Sequence, residues 1–85
     1  MKKVTIYTTN YCPYCVRAKQ LLTSLNIAYT EVDVTEDSAA RDAASAKAGG
    51  YMTVPMIFIG EEFIGGYDDL AKLHATGGLL SKVEE

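Results

Sequence analysis

Residues 3–33 hold the pattern that most restricts the fold of this chain. Lys3-Val-Thr-Ile-Tyr-Thr8 is β-rich, with apolar and aromatic side chains, and predicts a strand. Pro13 suits the first turn of a helix, where its missing N–H has no partner to lose. Ala18, Leu21, Leu22 and Leu25 then follow the spacing of one buried helix face, with Arg17, Lys19 and Gln20 on the others. Asn26 ends the helix, and Ala28-Tyr-Thr-Glu-Val-Asp33 reads as a second strand. A strand, a helix and a strand in such close succession require a parallel pair joined by a right-handed crossover.

The remaining chain completes a sheet. Asp37 or Ser38 caps an alanine-rich helix over Ala39–Ala48, which Gly49-Gly50 stops. Met56-Ile-Phe-Ile59 is a short apolar run of the kind found in central strands. Gly60-Glu61 turns it into Glu62-Phe-Ile64, a hairpin. After Gly65-Gly66, Tyr67 or Asp68 starts a third helix with Leu70 and Leu73 facing inward. Gly77-Gly78 ends it, Leu79–Val83 forms one last turn, and Glu84-Glu85 is expected to fray. The order β-α-β-α-β-β-α describes an α/β domain with a mixed four-stranded sheet flanked by three or more helices. The 85 residues fit one small domain, 1–85, with no room for a second.

Charge excludes some functions. Eight basic residues against eleven acidic ones give a net charge of −3, and the basic ones are scattered, so no nucleic-acid partner is expected. Lys2 and Lys3 are followed by no long apolar run, so no secretory leader is expected, and no stretch is long enough to cross a bilayer. The expected location is cytoplasmic, without a membrane partner. Cytosolic disulfides are usually transient and catalytic or redox-sensing.

That setting matters for Cys12 and Cys15, the two cysteines of the chain. Cys12 falls at the predicted start of the first helix, directly after a strand. Free N–H groups and the positive end of the helix dipole stabilise an anion there. Thiols so placed ionise more readily, and thiolate is the species that attacks a disulfide. Cys12 is therefore the expected nucleophile. Cys15 lies one turn on and on the same side, within disulfide reach, and is expected to be the more buried, resolving thiol. Two other readings stand beside this one. A structural staple across so short a loop removes little chain entropy. A zinc site wants four ligands, and the chain supplies two cysteines and a distant His74 unless a dimer pools two pairs. A Cys-x-x-Cys at a strand-to-helix junction favours redox chemistry.

Two further patches accompany the pair. In Thr53-Val54-Pro55 the proline pushes Val54 into an extended conformation, with backbone groups able to pair with a peptide-like ligand. Gly65-Gly66-Tyr67-Asp68-Asp69 places a helix N-terminus after a flexible turn, a suitable seat for a carboxylate. Taken singly, the first is a strand entry and the second a helix cap.

Together, CPYC at Cys12–Cys15, TVP at Thr53–Pro55 and the GGYDD run at Gly65–Asp69 resemble the glutaredoxin family, dithiol branch, over nearly the whole chain. The resemblance implies the thioredoxin-like fold, with Pro55 a cis proline facing the cysteines. It implies glutathione as co-substrate and reductant, and no metal. It makes Cys12 the attacker of protein disulfides and glutathione mixed disulfides. Tyr14 would line the glutathione groove, Thr53, Val54 and Pro55 would align the tripeptide, and Gly66, Tyr67, Asp68 and Asp69 would hold its γ-glutamyl end. Disulfide-containing or glutathionylated proteins are the implied partners, and a monomer is expected. Where the family often has basic residues, shortly before the first cysteine and before TVP, this chain has Thr9-Asn10 and Tyr51-Met52. Arg17, Lys19 or Lys47 are the candidates to compensate. Those departures keep in play a glutaredoxin-like electron donor reduced by thioredoxin reductase. A binding module, a dimer holding an iron–sulfur cluster or zinc between Cys12 thiolates, is the alternative from another class.

Overall fold

The computed structural model describes residues 2–84. Its elements are β1 (Val4–Thr8), α1 (Pro13–Ser24), β2 (Tyr29–Asp33), α2 (Ser38–Lys47), β3 (Met56–Ile59), β4 (Glu62–Gly65), α3 (Tyr67–Ala75) and α4 (Gly78–Glu84). The strands form one mixed sheet in the order β2-β1-β3-β4. β1 and β2 are parallel, from Val4 on Tyr29 to Thr8 on Asp33, while β1–β3 and β3–β4 are antiparallel.

Each face of the sheet is covered for a reason visible in the side chains. Val4, Ile6, Ile57 and Ile59 of the central strands meet Ala18 and Leu22 of α1, Leu70 of α3, and Leu79 and Val83 of α4. On the opposite face Met56 and Phe58 pack with Ala44 of α2, joined by Tyr7, Tyr51 and Phe63. All four residues of β3 are buried, as a central strand covered on both faces requires. Burying each of the larger aliphatic side chains is worth about 1.5–3 kcal/mol.

The helix ends follow local chemistry. α1 starts on Pro13 behind Cys12 as N-cap, and the chain leaves it through Asn26, whose φ of 58° is one asparagine tolerates. The Asp37 carboxylate caps α2 by accepting the Ala40 N–H at 3.0 Å. In the hairpin Ile57 pairs with Gly65 but Phe58 with Phe63, so Ile64 is an extra residue, a bulge that bends β4 just before α3.

The C-terminal region departs from the sequence reading. Rather than one turn over Leu79–Val83 with a frayed tail, α4 runs from Gly78 through Glu84, and only Thr76 and Gly77, the latter at φ 80°, separate it from α3. Leu79 and Val83, four apart, are each 1% exposed, and the Val83 carbonyl accepts the Lys2 N–H at 2.7 Å. Tertiary packing supplies what so short a helix lacks on its own. The expectation for Glu85 lies outside the described residues.

Candidate active site

β1 delivers the chain to the top of the sheet, and the turn after it presents Cys12 as the N-cap of α1. Cys12 is extended there (φ −103°, ψ 107°), and its sulfur accepts the Cys15 backbone N–H at 3.1 Å. This is a capping interaction made by sulfur in place of the usual side-chain oxygen. The Cys12 thiol in turn donates to the Val54 carbonyl at 3.6 Å. Both cysteines are free; Cys12 is half-buried, whereas Cys15 is 1% exposed. Burial pushes the Cys15 thiol up to about 12, helped by its hydrogen bond to Cys12 and the proximity of that group. The Thr9 backbone amide and the Lys19 ammonium pull in the opposite direction. The pair is thus asymmetric: one sulfur reaches solvent at a helix N-terminus, and the other is kept as a thiol beneath it.

The Val54–Pro55 bond is cis, and Val54 is the residue whose carbonyl meets Cys12. Beside this contact lies a cleft of about 440 Å³. Tyr14, Thr53, Val54, Pro55, Gly66, Tyr67, Asp68 and Asp69 all line it, so three segments remote in sequence share one wall. The Tyr14 and Tyr67 rings stand 6.3 Å apart across it.

The two-glycine turn makes this geometry possible. Gly65 has φ 131°, and a Cβ there would overlap the Asp69 carboxylate. That carboxylate reaches back to accept the Gly66 N–H at 3.1 Å, closing the first turn of α3. A Cβ on Gly66 would lie 2.8 Å from the Tyr51 hydroxyl.

Tyr51 is the lining residue that sequence reasoning treated only as a departure from pattern. Its ring packs on Phe63 at 5.0 Å, which carries the hydroxyl to the cleft wall. The signal available was an aromatic residue two before Thr-Val-Pro. Of the basic residues considered, Arg17 stacks over the Tyr14 ring at 5.3 Å, at the rim of the cleft. Lys19 is engaged by Glu31 at 2.9 Å and Lys47 lies 5.7 Å from the Phe58 ring, so neither is offered to the cleft. Arg41, not singled out from sequence, donates to the Met52 carbonyl at 3.3 Å and steadies the segment entering Thr53. His74 is exposed near the end of α3. Among the described residues no three His, Cys, Asp or Glu side chains are grouped to hold a metal, and no helix is long and apolar enough to cross a membrane.

Comparison with known proteins decides the family. The family model described as Glutaredoxin matches residues 4–64. The chain belongs to the glutaredoxin family. It is 47% identical to glutaredoxin 3 of Escherichia coli over 79 residues, covering 93% of this chain and 94% of that one. It is 46% identical to a glutaredoxin of Pseudomonas aeruginosa over 79 residues, with 93% of each chain covered. Among solved structures, the buckwheat glutaredoxin–glutathione complex superposes with a TM-score of 0.87 at 30% identity, covering 95% of this chain and 76% of that one. The glutaredoxin of Brucella melitensis gives 0.85 at 39% identity, covering 100% and 94%. The fold is thus thioredoxin-like, and the chain is a thiol–disulfide oxidoreductase.

Proposed function

We propose that this glutaredoxin is a glutathione-dependent dithiol oxidoreductase acting on protein disulfides and glutathione mixed disulfides. One observation carries the reading: the half-buried sulfur of Cys12 and a cleft built by Tyr14, Thr53–Pro55 and Gly66–Asp69 converge at Val54. The likeness to a glutaredoxin solved as a glutathione complex supports it.

In the first step the Cys12 thiolate attacks one sulfur of the substrate disulfide. A Cys12–substrate S–S bond forms, the old S–S bond breaks, and the departing sulfur leaves as thiolate and takes a proton. The Cys15 N–H at the Cys12 sulfur stabilises the anion before attack. For a protein dithiol, Cys15 then attacks the Cys12 sulfur and releases the second substrate thiol. For a glutathionylated protein the intermediate holds glutathione on Cys12, and a second glutathione resolves it. In that intermediate we place the tripeptide backbone along Val54, with Thr53 and Pro55 beside it. Its γ-glutamyl end sits at the start of α3, beside Gly66 and Tyr67, where Asp68 and Asp69 face its ammonium. Tyr14 covers the chain from above. The protein is proposed to work as a single cytoplasmic domain and a monomer, without metal.

The test is reduction of a glutathione mixed disulfide coupled to glutathione and glutathione reductase. Wild type and Cys15→Ser are expected to turn over, and Cys12→Ser to be inactive. Wild type silent with glutathione but reduced by thioredoxin reductase would replace the electron donor. The alternative has a physical motive: among the described residues lining the cleft none is basic, so a carboxylate there meets only rim cations. Brown, metal-containing protein lacking either activity would favour the cluster-bearing dimer instead.

A further inference from the structure

The cleft carries charge at one end. Asp68 and Asp69 line it where α3 begins, and among its described lining residues none is basic. Its wall also has a direction. The Pro55 carbonyl lies 3.7 Å from the place of a Cβ on Gly66, so the wall starts beside α3 at Pro55. It meets Cys12 at the Val54 carbonyl and runs back through Thr53 to Met52. At that exit stands Arg41. It belongs to α2, is half-buried, and its Nη2 donates to the Met52 carbonyl at 3.3 Å. Among the described residues no carboxylate pairs with it; Asp37, one turn earlier, caps the helix through the Ala40 N–H. Other cations near the site are engaged differently. Lys19 is paired with Glu31, Lys47 lies over Phe58, and Arg17 lies over Tyr14. A guanidinium has five N–H donors, so one bond to a carbonyl leaves most of them without a protein partner and the charge uncompensated.

We propose that Arg41 determines specificity for the C-terminal end of glutathione, its remaining N–H groups receiving the glycine carboxylate where the tripeptide leaves the cleft past Thr53. This rests on the glutathione reading above. An extended peptide advances about 3.3 Å per residue. A tripeptide with its ammonium facing Asp68 and Asp69 and its sulfur at Cys12 therefore carries its last residue toward Met52. The two ends of that ligand differ in charge. The γ-glutamyl end holds an ammonium beside its carboxylate, whereas the glycine end is a lone carboxylate, which an acidic cleft repels. The guanidinium answers it with a planar fork that a carboxylate can meet by two parallel bonds, a match that an ammonium does not offer. The Met52 carbonyl fixes one arm of the fork next to Thr53, so the charge is held at the exit before the ligand arrives. Arg41 touches no reacting atom. It acts on which thiol is accepted, and a thiol lacking that carboxylate gains nothing from it.

The experiment uses the full chain in the Cys15→Ser background, alone and with Arg41→Gln, Arg41→Lys or Arg17→Gln. The reduced protein is mixed with one peptide carrying a mixed disulfide either to glutathione or to glutathione amide, whose glycine ends in a carboxamide. Single-turnover release of the peptide thiol gives a second-order rate for each form. The parent is expected to prefer the carboxylate form about tenfold, the scale of one charge-assisted pair at a partly solvated site. Arg41→Gln should bring the two rates together. Arg41→Lys should keep part of the preference and Arg17→Gln all of it. Raising the salt to about 0.5 M should shrink the parent's preference. A parent without preference, or a preference that survives Arg41→Gln, overturns the proposal. So does an equal fall for both forms in Arg41→Gln, because a residue that only steadies Met52 would produce it. A preference lost in Arg17→Gln and kept in Arg41→Gln would assign the carboxylate to the α1 rim and overturn it too. No transfer from either form would instead sink the glutathione reading itself.

Discussion

Cys12 and Cys15 are three residues apart, yet the fold gives them opposite surroundings. Cys15 lies on the buried face of α1 with its ionisation displaced to about 12, whereas Cys12 is half-buried at the helix N-terminus. Alkylation requires both access and thiolate. Iodoacetamide at pH 7.5 should therefore add one group per chain, at Cys12, located by peptide mass mapping. The second addition should come only with denaturation; prompt labelling of Cys15 in the native protein would contradict the burial. Gly65 is the other residue whose identity is forced. Its φ of 131°, and the Asp69 carboxylate standing where a Cβ would go, leave no place for a side chain. Gly65→Ala should cost about 2–4 kcal/mol in urea unfolding, because the strain and the lost Asp69–Gly66 cap add together. The sequence marks these positions clearly: CPYC and the glycine pair each have a local chemical reason. Tyr51 was less legible, because its role depends on Phe63, twelve residues on, which turns its hydroxyl onto Gly66.

At the scale of elements, β1 and α1 are legible because each buries a regular stripe, β3 because it is an apolar run buried throughout, and α2 through its alanines and its Asp37 cap. α4 was underestimated because its stability lies in what it touches. Its Leu79 and Val83 complete the cluster formed by Val4, Ile59 and Leu70, and no local pattern announces that partnership. Leu79→Ala should destabilise the protein by about 2–5 kcal/mol, as for other large-to-small changes in a core. Loss under about 1 kcal/mol would show α4 to be an ornament of the fold. α1 is also fastened from outside. Glu31 of β2 accepts from the Thr8 hydroxyl at 2.7 Å and from Lys19 of α1 at 2.9 Å, and these two bonds hold its ionisation below the ordinary carboxylate range. A lowered folded pKa means stability that is present above the unfolded value, near 4.5, and lost as pH falls through the folded one. The site is partly solvated, so Glu31→Gln should cost only about 0.2–1 kcal/mol at pH 7. That gap should close below pH 4; a gap constant from pH 7 to 3 would mean that the carboxylate's charge contributes nothing.

For the whole molecule the buried thiol sets a limit at the alkaline end. The folded state holds Cys15 protonated up to about 12, while an unfolded chain releases that proton near 9. Between those values the unfolded state binds fewer protons, so stability falls as pH rises. Below about 9 the contribution is fully present; above about 12 both states are ionised and it is gone. Tyrosines and lysines titrate in the same interval, so the comparison must be with Cys15→Ala, which keeps every other group. Measured by urea midpoints under reducing conditions, wild type should lose ground to Cys15→Ala as pH rises from 9, with a limiting slope of about 1.4 kcal/mol per pH unit. Oxidation should abolish the effect in wild type, because a Cys12–Cys15 disulfide leaves no thiol to ionise in either state. If reduced wild type and Cys15→Ala instead run parallel from pH 8 to 11, the protein does not hold Cys15 as a thiol. The asymmetry between an attacking and a resolving sulfur would then have to come from access to solvent alone.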